Sequence, residues 1–104
     1  MNSKCYELKI LPLFEDNLNE IVDYITFRLK NPIAAEQFVD DVETAIYERL
    51  KSPFAFAPYE SKRNREHVYY TIPVRNYTIF YVMIGDIREV RTIIYSRRDL
   101  KKLI

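Results

Sequence analysis

The chain is poor in the residues that interrupt regular structure and in those that build covalent or metal-bound frameworks. Its 104 residues include one glycine, one cysteine, one histidine and no tryptophan. A lone cysteine, Cys5, excludes an internal disulfide and agrees with a reducing cytoplasm. So little glycine indicates regular elements with few irregular loops. Without a cluster of histidine and cysteine, the sequence predicts no metal site and no cofactor.

Long hydrophobic runs are absent as well. No stretch approaches the roughly 20 apolar residues that cross a bilayer, and the N-terminus lacks a basic leader followed by an apolar segment. We therefore expect a soluble, cytoplasmic protein with no membrane partner. Hydrophobic residues make up 48% of the chain, which is enough for one core, and the length predicts a single domain over residues 1–104.

Charge is unevenly distributed along the chain, although the net charge is only +1. Residues 1–60 hold six Lys or Arg against eleven Asp or Glu, a balance of −5. Residues 61–104 hold ten against four, a balance of +6. A basic C-terminal half on a nearly neutral chain indicates a local contact with an anionic partner. The alternative is that acidic helices and basic strands pair with each other across the surface.

The N-terminal half predicts a strand followed by two helices. Residues 4–11 alternate in polarity and end at Pro12, as in a first strand. Asn17, with Glu20 at the capping-box position, predicts the start of helix one. The Asn31-Pro32 pair predicts the cap and first residue of helix two, which runs to about residue 50.

The C-terminal half predicts three strands, completing the order β-α-α-β-β-β with a short terminal helix. Residues 68–74 form the first of these strands, and Pro73 places it at a sheet edge. Gly85-Asp86 suits a type II′ hairpin turn, so Ile84 faces Ile87 and Tyr81 faces Val90. The fold class is α+β, with a helical hairpin packed on one face of a mainly antiparallel sheet.

The hairpin register divides these strands into a dry face and a mixed face. The dry face, which should pack against the helices, has Arg88 at its rim and contains Tyr77, Ile79, Tyr81, Met83, Val90, Thr92 and Ile94. The mixed face, open to a partner, contains Thr78, Phe80, Val82, Ile84, Ile87, Glu89, Arg91, Ile93 and Tyr95.

Basic residues gather in the loop before the second strand, on the mixed face and after the last strand. They are Lys62, Arg63, Arg65, Arg91, Arg97 and Arg98. Arginine clusters bind phosphate through bidentate hydrogen bonds, and Tyr95 could stack on a base beside them. His67 is a candidate general base but also suits a structural role. The cluster is equally compatible with a solvated rim paired with glutamates.

The order and spacing of three segments resemble the RelE/ParE-family toxins of bacterial type II toxin–antitoxin pairs. The segments are residues 31–38, at the start of helix two, residues 76–81 and residues 94–100. The resemblance covers the whole chain. It implies a cognate antitoxin as partner, growth inhibition and a role in plasmid stabilisation.

The resemblance also allows the activity of the two branches to be compared. The mRNA-cleaving RelE branch uses two lysines, two arginines and a tyrosine, and the aligned positions here hold Thr71, Pro73, Thr78, Arg98 and Ile104. One arginine remains, so the resemblance favours the ParE branch, which binds DNA gyrase. A ribosome-dependent endoribonuclease using Arg65, His67 and Arg98 is the alternative. A third possibility is a small RNA-binding or scaffolding domain without toxicity.

An antitoxin helix or strand should dock where apolar side chains lack a partner within the chain. On helix one these are Tyr24 and Phe27, which lie off the apolar stripe, and on the mixed face they are Phe80 and Ile93. For Phe27, packing against helix two is an equally good interpretation.

Overall fold

The computed structural model describes residues 7–51, 58 and 67–97, and it confirms the predicted α+β fold. Two helices joined by a short turn pack on one face of a four-stranded sheet. The elements are β1 (Glu7–Ile10), α1 (Pro12–Asp23), a π-helical turn (Tyr24–Arg28), α2 (Pro32–Leu50), β2 (Tyr69–Val74), β3 (Tyr77–Ile84) and β4 (Ile87–Tyr95).

The sheet has the strand order β1-β4-β3-β2. β1 runs parallel to β4, while β2, β3 and β4 form an antiparallel meander. β2 is an edge strand, as Pro73 predicts, because the missing N–H of proline then faces away from the ladder. β3 is central, and its residues 79–82 are fully buried. The helices therefore cover one face of a sheet that is dry at its centre.

α1 begins at Pro12, five residues before the predicted cap, so the prediction of Asn17 as cap is wrong. Pro12 occupies the first helical position, where its missing N–H leaves no broken hydrogen bond and its fixed φ suits the helix. Leu11 precedes it in an extended conformation. The Asn17 side chain instead accepts a hydrogen bond from the Thr92 hydroxyl at 2.6 Å, which ties α1 to β4.

α2 begins and ends close to the predicted positions. The Asn31 side chain accepts a hydrogen bond from the Ala34 N–H at 3.1 Å, and Pro32 follows as the first helical residue. The buried face of α2 contains Ala35, Phe38, Val42 and Ile46. Burying an aliphatic or aromatic side chain of this size contributes about 1.5–3 kcal/mol, so this face holds the helices on the sheet.

The β3–β4 turn confirms the predicted hairpin. Gly85 has a φ of +60°, while Asp86 has a negative φ, as a type II′ turn requires. Ile84 pairs with Ile87, and Tyr81 pairs with Val90. Tyr81 and Val90 both belong to the core beneath the helices. The turn chemistry thus determined the first half of the register.

A β-bulge changes the second half of that register and corrects the predicted faces. Tyr81 pairs with Val90 but Phe80 pairs with Thr92, so Arg91 is an extra residue in β4. Beyond the bulge, Ile93 pairs with Ile79 and lies in the core with 3% of its surface exposed. The prediction that Ile93 lies on an open mixed face is therefore wrong.

The sequence interpretation also misjudged the exposure of Phe80, for a different reason. It lies outside the core beneath the helices, as predicted, yet none of its surface is exposed. The Tyr69 ring on β2 meets it edge to face, with 6.2 Å between ring centroids. Cross-strand aromatic contact of this kind covers the sheet surface. Phe80 is therefore no free docking residue.

Some predictions fall outside the described residues, among them Cys5 and the C-terminal helix. Within the described part of the chain, the longest helix is not apolar enough to cross a membrane.

Replacing Gly85 with valine should destabilise the protein by about 1–3 kcal/mol, because a β-branched residue tolerates a positive φ poorly. A Cβ at this position would meet nothing within 4 Å, so backbone strain is the sole cost. The measurement is urea unfolding of Gly85→Val beside Asp86→Ala, a neighbour without positive φ. Equal stability of wild type and Gly85→Val would contradict the assignment of a positive φ to Gly85 in this turn.

Candidate functional site

The two ends of the sheet carry different chemistry. Tyr69 is level with Val82 on β3, whereas Tyr95 is level with Tyr77. Because positions 77 and 82 are five residues apart along one strand, the two ends are separated by about 17 Å. His67 precedes β2 at the first end, and Arg97 follows β4 at the second. The structure therefore does not bring His67 and Arg97 together.

Four of the predicted phosphate-binding residues, Lys62, Arg63, Arg65 and Arg98, lie outside the described residues. Of the remaining three, Arg97 is exposed, Tyr95 is half-buried and Arg91 is half-buried. Across residues 7–51, 58 and 67–97, no group of three His, Cys, Asp or Glu side chains is arranged to hold a metal ion.

Arg91 is held by a polar network on the face opposite the helices. Its guanidinium contacts the Glu89 carboxylate at 2.9 Å and donates to the Tyr69 hydroxyl at 3.4 Å. Partial burial alone would lower the pKa of Arg91, but the Tyr69 hydroxyl and Glu89 outweigh it and raise the pKa. Lys9 approaches the same carboxylate at 3.8 Å. Arg91 is thus a charge already compensated within the chain.

A groove opens between the helical hairpin and the strand ends, and we call it the hairpin-end groove. Its volume is about 850 Å³. It is lined by Asn17, Glu20, Ile21, Tyr24, Ile25, Leu29, Ala34, Phe38, Arg75, Asn76, Tyr77, Thr92, Ile93, Ile94 and Tyr95. A large, mainly apolar concavity with a few polar groups on its walls is the usual form of a binding site.

Three tyrosines meet in the hairpin-end groove. The Tyr77 and Tyr95 rings meet edge to face, with 5.5 Å between their centroids. The Phe38 ring packs on Tyr77 with a centroid distance of 5.2 Å. Burial raises the pKa of Tyr77, and the nearby Tyr24 and Tyr95 hydroxyls raise it further. Tyr95, predicted from the sequence as a base-stacking residue on the mixed face, lies instead on the helix side because of the bulge.

The predicted antitoxin-docking residues separate into two pairs. Tyr24 and Phe27 are exposed at 49% and 71%, so Phe27 does not pack against helix two. Phe80 and Ile93 are buried. Tyr24 and Ile93 nevertheless both line the hairpin-end groove, one at its rim and one at its floor. Sequence reasoning therefore placed Tyr24 on an exposed surface, but it did not predict the groove that Tyr24 shares with Ile93.

Two buried arginines around Tyr81 are a feature that the sequence interpretation missed. Arg49 on α2 donates to the Thr71 carbonyl at 2.7 Å and to the Tyr81 hydroxyl at 3.3 Å. The Arg88 guanidinium lies 5.4 Å from the centre of the Tyr81 ring and donates to the Ile46 carbonyl. Arg88 was predicted at the rim of the dry face, yet it is fully buried.

Arg88 carries an electrostatic cost. Among the described residues, its buried Nε and Nη1 atoms have no hydrogen-bond partner. Burial lowers the pKa of Arg88 well below its ordinary value, to about 10, with an opposing rise from Tyr81 and a further decrease from Arg49. A shift of that size corresponds to a penalty on the order of 3 kcal/mol for keeping the guanidinium charged. This burial depends on tertiary packing, because the alternation pattern of the strand alone placed Arg88 at the rim of the dry face.

The β2–β3 turn holds a residue with a strained backbone. Arg75 has a φ of +54°, which is uncommon for a residue with a side chain. Its Nε donates to the Asp41 carboxylate at 2.7 Å, which links the turn to α2. The fixed turn keeps the strand end in place beside Tyr77.

These features define a class of small protein, a helical hairpin on an antiparallel sheet with an apolar groove at the hairpin end. The family described as "ParE toxin of type II toxin-antitoxin system, parDE" matches residues 8–100. The chain belongs to this family. No curated protein sequence matches it significantly.

Solved structures with the same fold come from toxin–antitoxin systems. A chain from the chromosomal ParDE system of Pseudomonas aeruginosa has a TM-score of 0.67 and 17% identity, covering 89% of this chain and 98% of that one. The RelE–RelB complex of Pyrococcus horikoshii gives 0.51 and 12%, covering 90% and 98%. The RelB–RelE complex of Methanococcus jannaschii gives 0.50 and 19%, covering 92% and 98%. At these identities the likeness shows the fold.

Replacing Arg88 with methionine should raise the free energy of unfolding by about 1–3 kcal/mol, because an apolar chain of similar length removes the buried charge. Arg88→Lys, which keeps a charge, is the control and should not stabilise. Both are measured by urea unfolding at pH 7. If Arg88→Met is less stable than the wild type, interactions within the folded protein outweigh the cost of burying the Arg88 charge, and the prediction is wrong.

The same variant has a pH signature. Since the pKa of Arg88 is lower in the folded state, the unfolded chain binds more protons in the window between a pH of about 10 and the ordinary pKa of arginine. The penalty is fully present below pH 10 and falls as the pH rises through that window. The stability difference between Arg88→Met and wild type should therefore narrow above pH 10.

Proposed function

We propose that this chain is the toxin of a type II toxin–antitoxin pair and inhibits bacterial growth by binding a protein target, DNA gyrase, without cutting RNA. Its family membership supports the toxin role, because the matching family is described as the toxin of the parDE pair. The proposal includes a cognate antitoxin partner, as in the complexes whose titles name RelE with RelB.

The observation that carries the proposal is the separation of His67 from Arg97. Cleavage of a phosphodiester requires a base, an acid and a cation around one phosphate. His67 lies before β2, whereas Arg97 follows β4 at the other end of the sheet, about 17 Å along the strands. That separation disfavours a site in which both side chains contact one phosphate.

The pairing of Arg91 with Glu89 and Tyr69 supports the same proposal. A guanidinium that stabilises a reacting phosphate must be available to it. Glu89 contacts Arg91 at 2.9 Å, and the Tyr69 hydroxyl takes another of its N–H groups. An incoming phosphate would compete with a carboxylate that is itself only 10% exposed. Arg91 therefore suits a structural network better than an anion site.

Growth arrest should persist in His67→Ala, because binding a protein target needs no proton transfer. Arg97→Ala combined with Arg98→Ala should weaken growth arrest by removing basic target contacts. The control is Lys51→Ala, which removes an exposed cation whose ion pair with Glu48 lies on the surface. Growth curves after induction, together with supercoiling by purified gyrase, measure these effects.

Mapping of transcript 5′ ends after induction distinguishes the ribonuclease alternative. We expect no new discrete ends in the wild type. Cuts within translated codons that disappear in His67→Ala would contradict the proposal and favour an endoribonuclease using Arg65, His67 and Arg98. Absence of both cutting and growth arrest would favour a non-toxic domain.

A further inference from the structure

One edge of the sheet keeps its backbone groups available for pairing. Among the described strands, β1 pairs with β4 alone. The N–H groups of Glu7 and Leu11 donate to carbonyls of the β3–β4 turn and of β4, at 2.9 and 3.0 Å. Leu8 and Ile10 therefore direct their N–H and C=O groups away from the sheet, because neighbouring residues of a strand alternate in this direction. An open edge of this kind is a template for another strand.

The opposite edge of the sheet is closed by its own residues. In β2, Pro73 faces outward and has no N–H to donate. Thr71, two residues earlier, faces outward as well, and its carbonyl already accepts a hydrogen bond from Arg49 Nη1 at 2.7 Å. An edge proline and a covering side chain both oppose association between sheets. Among the described strands, β1 is thus the better template for an added strand.

The side chains of β1 determine which strand it can accept. Glu7 and Lys9 are exposed on the face opposite the helices. Lys9 lies 3.8 Å from the Glu89 carboxylate, yet 61% of its side chain remains exposed. Leu8 and Ile10 are half-buried and pack against the core on the helix side. A matching strand must offer charges in complementary order on one face and apolar side chains on the other.

We propose that this edge receives β1 of a second copy of the chain, in an antiparallel pair whose two-fold axis passes beside Leu8. In that register, the Leu8 N–H of each copy donates to the Leu8 carbonyl of the other. Glu7 of each copy lies opposite Lys9 of the other, where Cβ atoms are about 4.5–5.5 Å apart. The strand is therefore complementary to itself, as a symmetric interface requires.

Charge selects this register over its neighbours. Sliding one strand by a single residue would turn its side chains to the wrong face, so the allowed registers differ by two residues. A pair centred on Glu7 places two glutamates opposite each other, and a pair centred on Lys9 places two lysines opposite each other. Like charges in direct opposition destabilise a strand pair. The register centred on Leu8 instead forms two pairs of opposite charge.

The length of β1 predicts a weak, closed dimer. Four residues form the strand, and a pair of this length is small beside a standard interface of about 1,200–2,000 Å². Because the β2 edge is protected, a dimer cannot extend into a longer array through its outer strands. We expect reversible association that depends on concentration. It goes beyond the proposed function, since it involves neither the antitoxin nor the cellular target.

Sedimentation equilibrium of the full chain at low salt, up to millimolar concentration, tests the proposal. The wild type should shift from monomer to dimer as its concentration rises. Glu7→Lys alone would oppose lysines at both charge pairs, and Lys9→Glu alone would oppose glutamates. Each single variant should raise the dissociation constant roughly tenfold or more. The double variant Glu7→Lys with Lys9→Glu exchanges the two charges and should dimerise like the wild type.

Mixing the two single variants tests the register itself. Glu7→Lys has two lysines on its strand and Lys9→Glu has two glutamates, so the mixture should form heterodimers at concentrations where each variant alone is monomeric. The matched control is Glu36→Lys, which makes the same charge change at an exposed position on α2 and should dimerise like the wild type. Circular dichroism melts confirm that each variant is folded.

Three results would overturn the proposal. One is a wild type that stays monomeric at every concentration, and another is a dimer that neither single variant weakens. The third is a monomeric wild type in which Glu7→Lys instead reduces affinity for the purified cognate antitoxin, because the edge would then belong to that protein. Growth arrest does not enter the sedimentation measurements, so failure of the toxin proposal leaves their result intact.

Discussion

The bulge at Arg91 is the constraint on which the rest of this structure depends. One extra residue in β4 shifts every later side chain relative to β3, because successive residues of a strand point to opposite faces. Ile93 therefore enters the core and Tyr95 meets Tyr77 on the helix side. Arg91 itself stays on the same face as Glu89, as strand alternation dictates, and its charge is compensated there. Without the bulge, the floor of the hairpin-end groove would have different side chains.

The two ends of the molecule differ in which unfavourable groups they contain, a buried charge at one end and exposed apolar side chains at the other. At one end, Arg49 and Arg88 lie around Tyr81, and the Arg88 guanidinium is fully buried with two nitrogen atoms that lack a hydrogen-bond partner in the described part of the chain. At the other, a π-helical turn leaves Leu29 and Phe27 exposed. A buried, unpaired charge lowers the stability of the folded protein. Exposed apolar surface is instead available for a partner to cover. The groove end is thus the one suited to a reversible contact.

Local signals in the sequence predicted what depends on neighbouring residues. Asn31-Pro32 placed the start of α2, and Gly85-Asp86 placed the turn and the pairing of Tyr81 with Val90. The start of α1 was missed because Pro12 serves equally well to end a strand or to begin a helix. For the candidate site, Tyr24 and Phe27 were chosen from their position off the apolar stripe and are exposed, whereas Phe80 and Ile93 were expected on an open face and are buried.

By itself, then, the sequence determined the element order, the α+β class and the RelE/ParE resemblance, since period and turn chemistry are written over a few neighbouring residues. Tertiary structure decided the bulge, the burial of Arg88 and the groove that Tyr24 shares with Tyr95. These depend on contacts between residues distant in the chain, where packing of the helices on the sheet outweighs local preference.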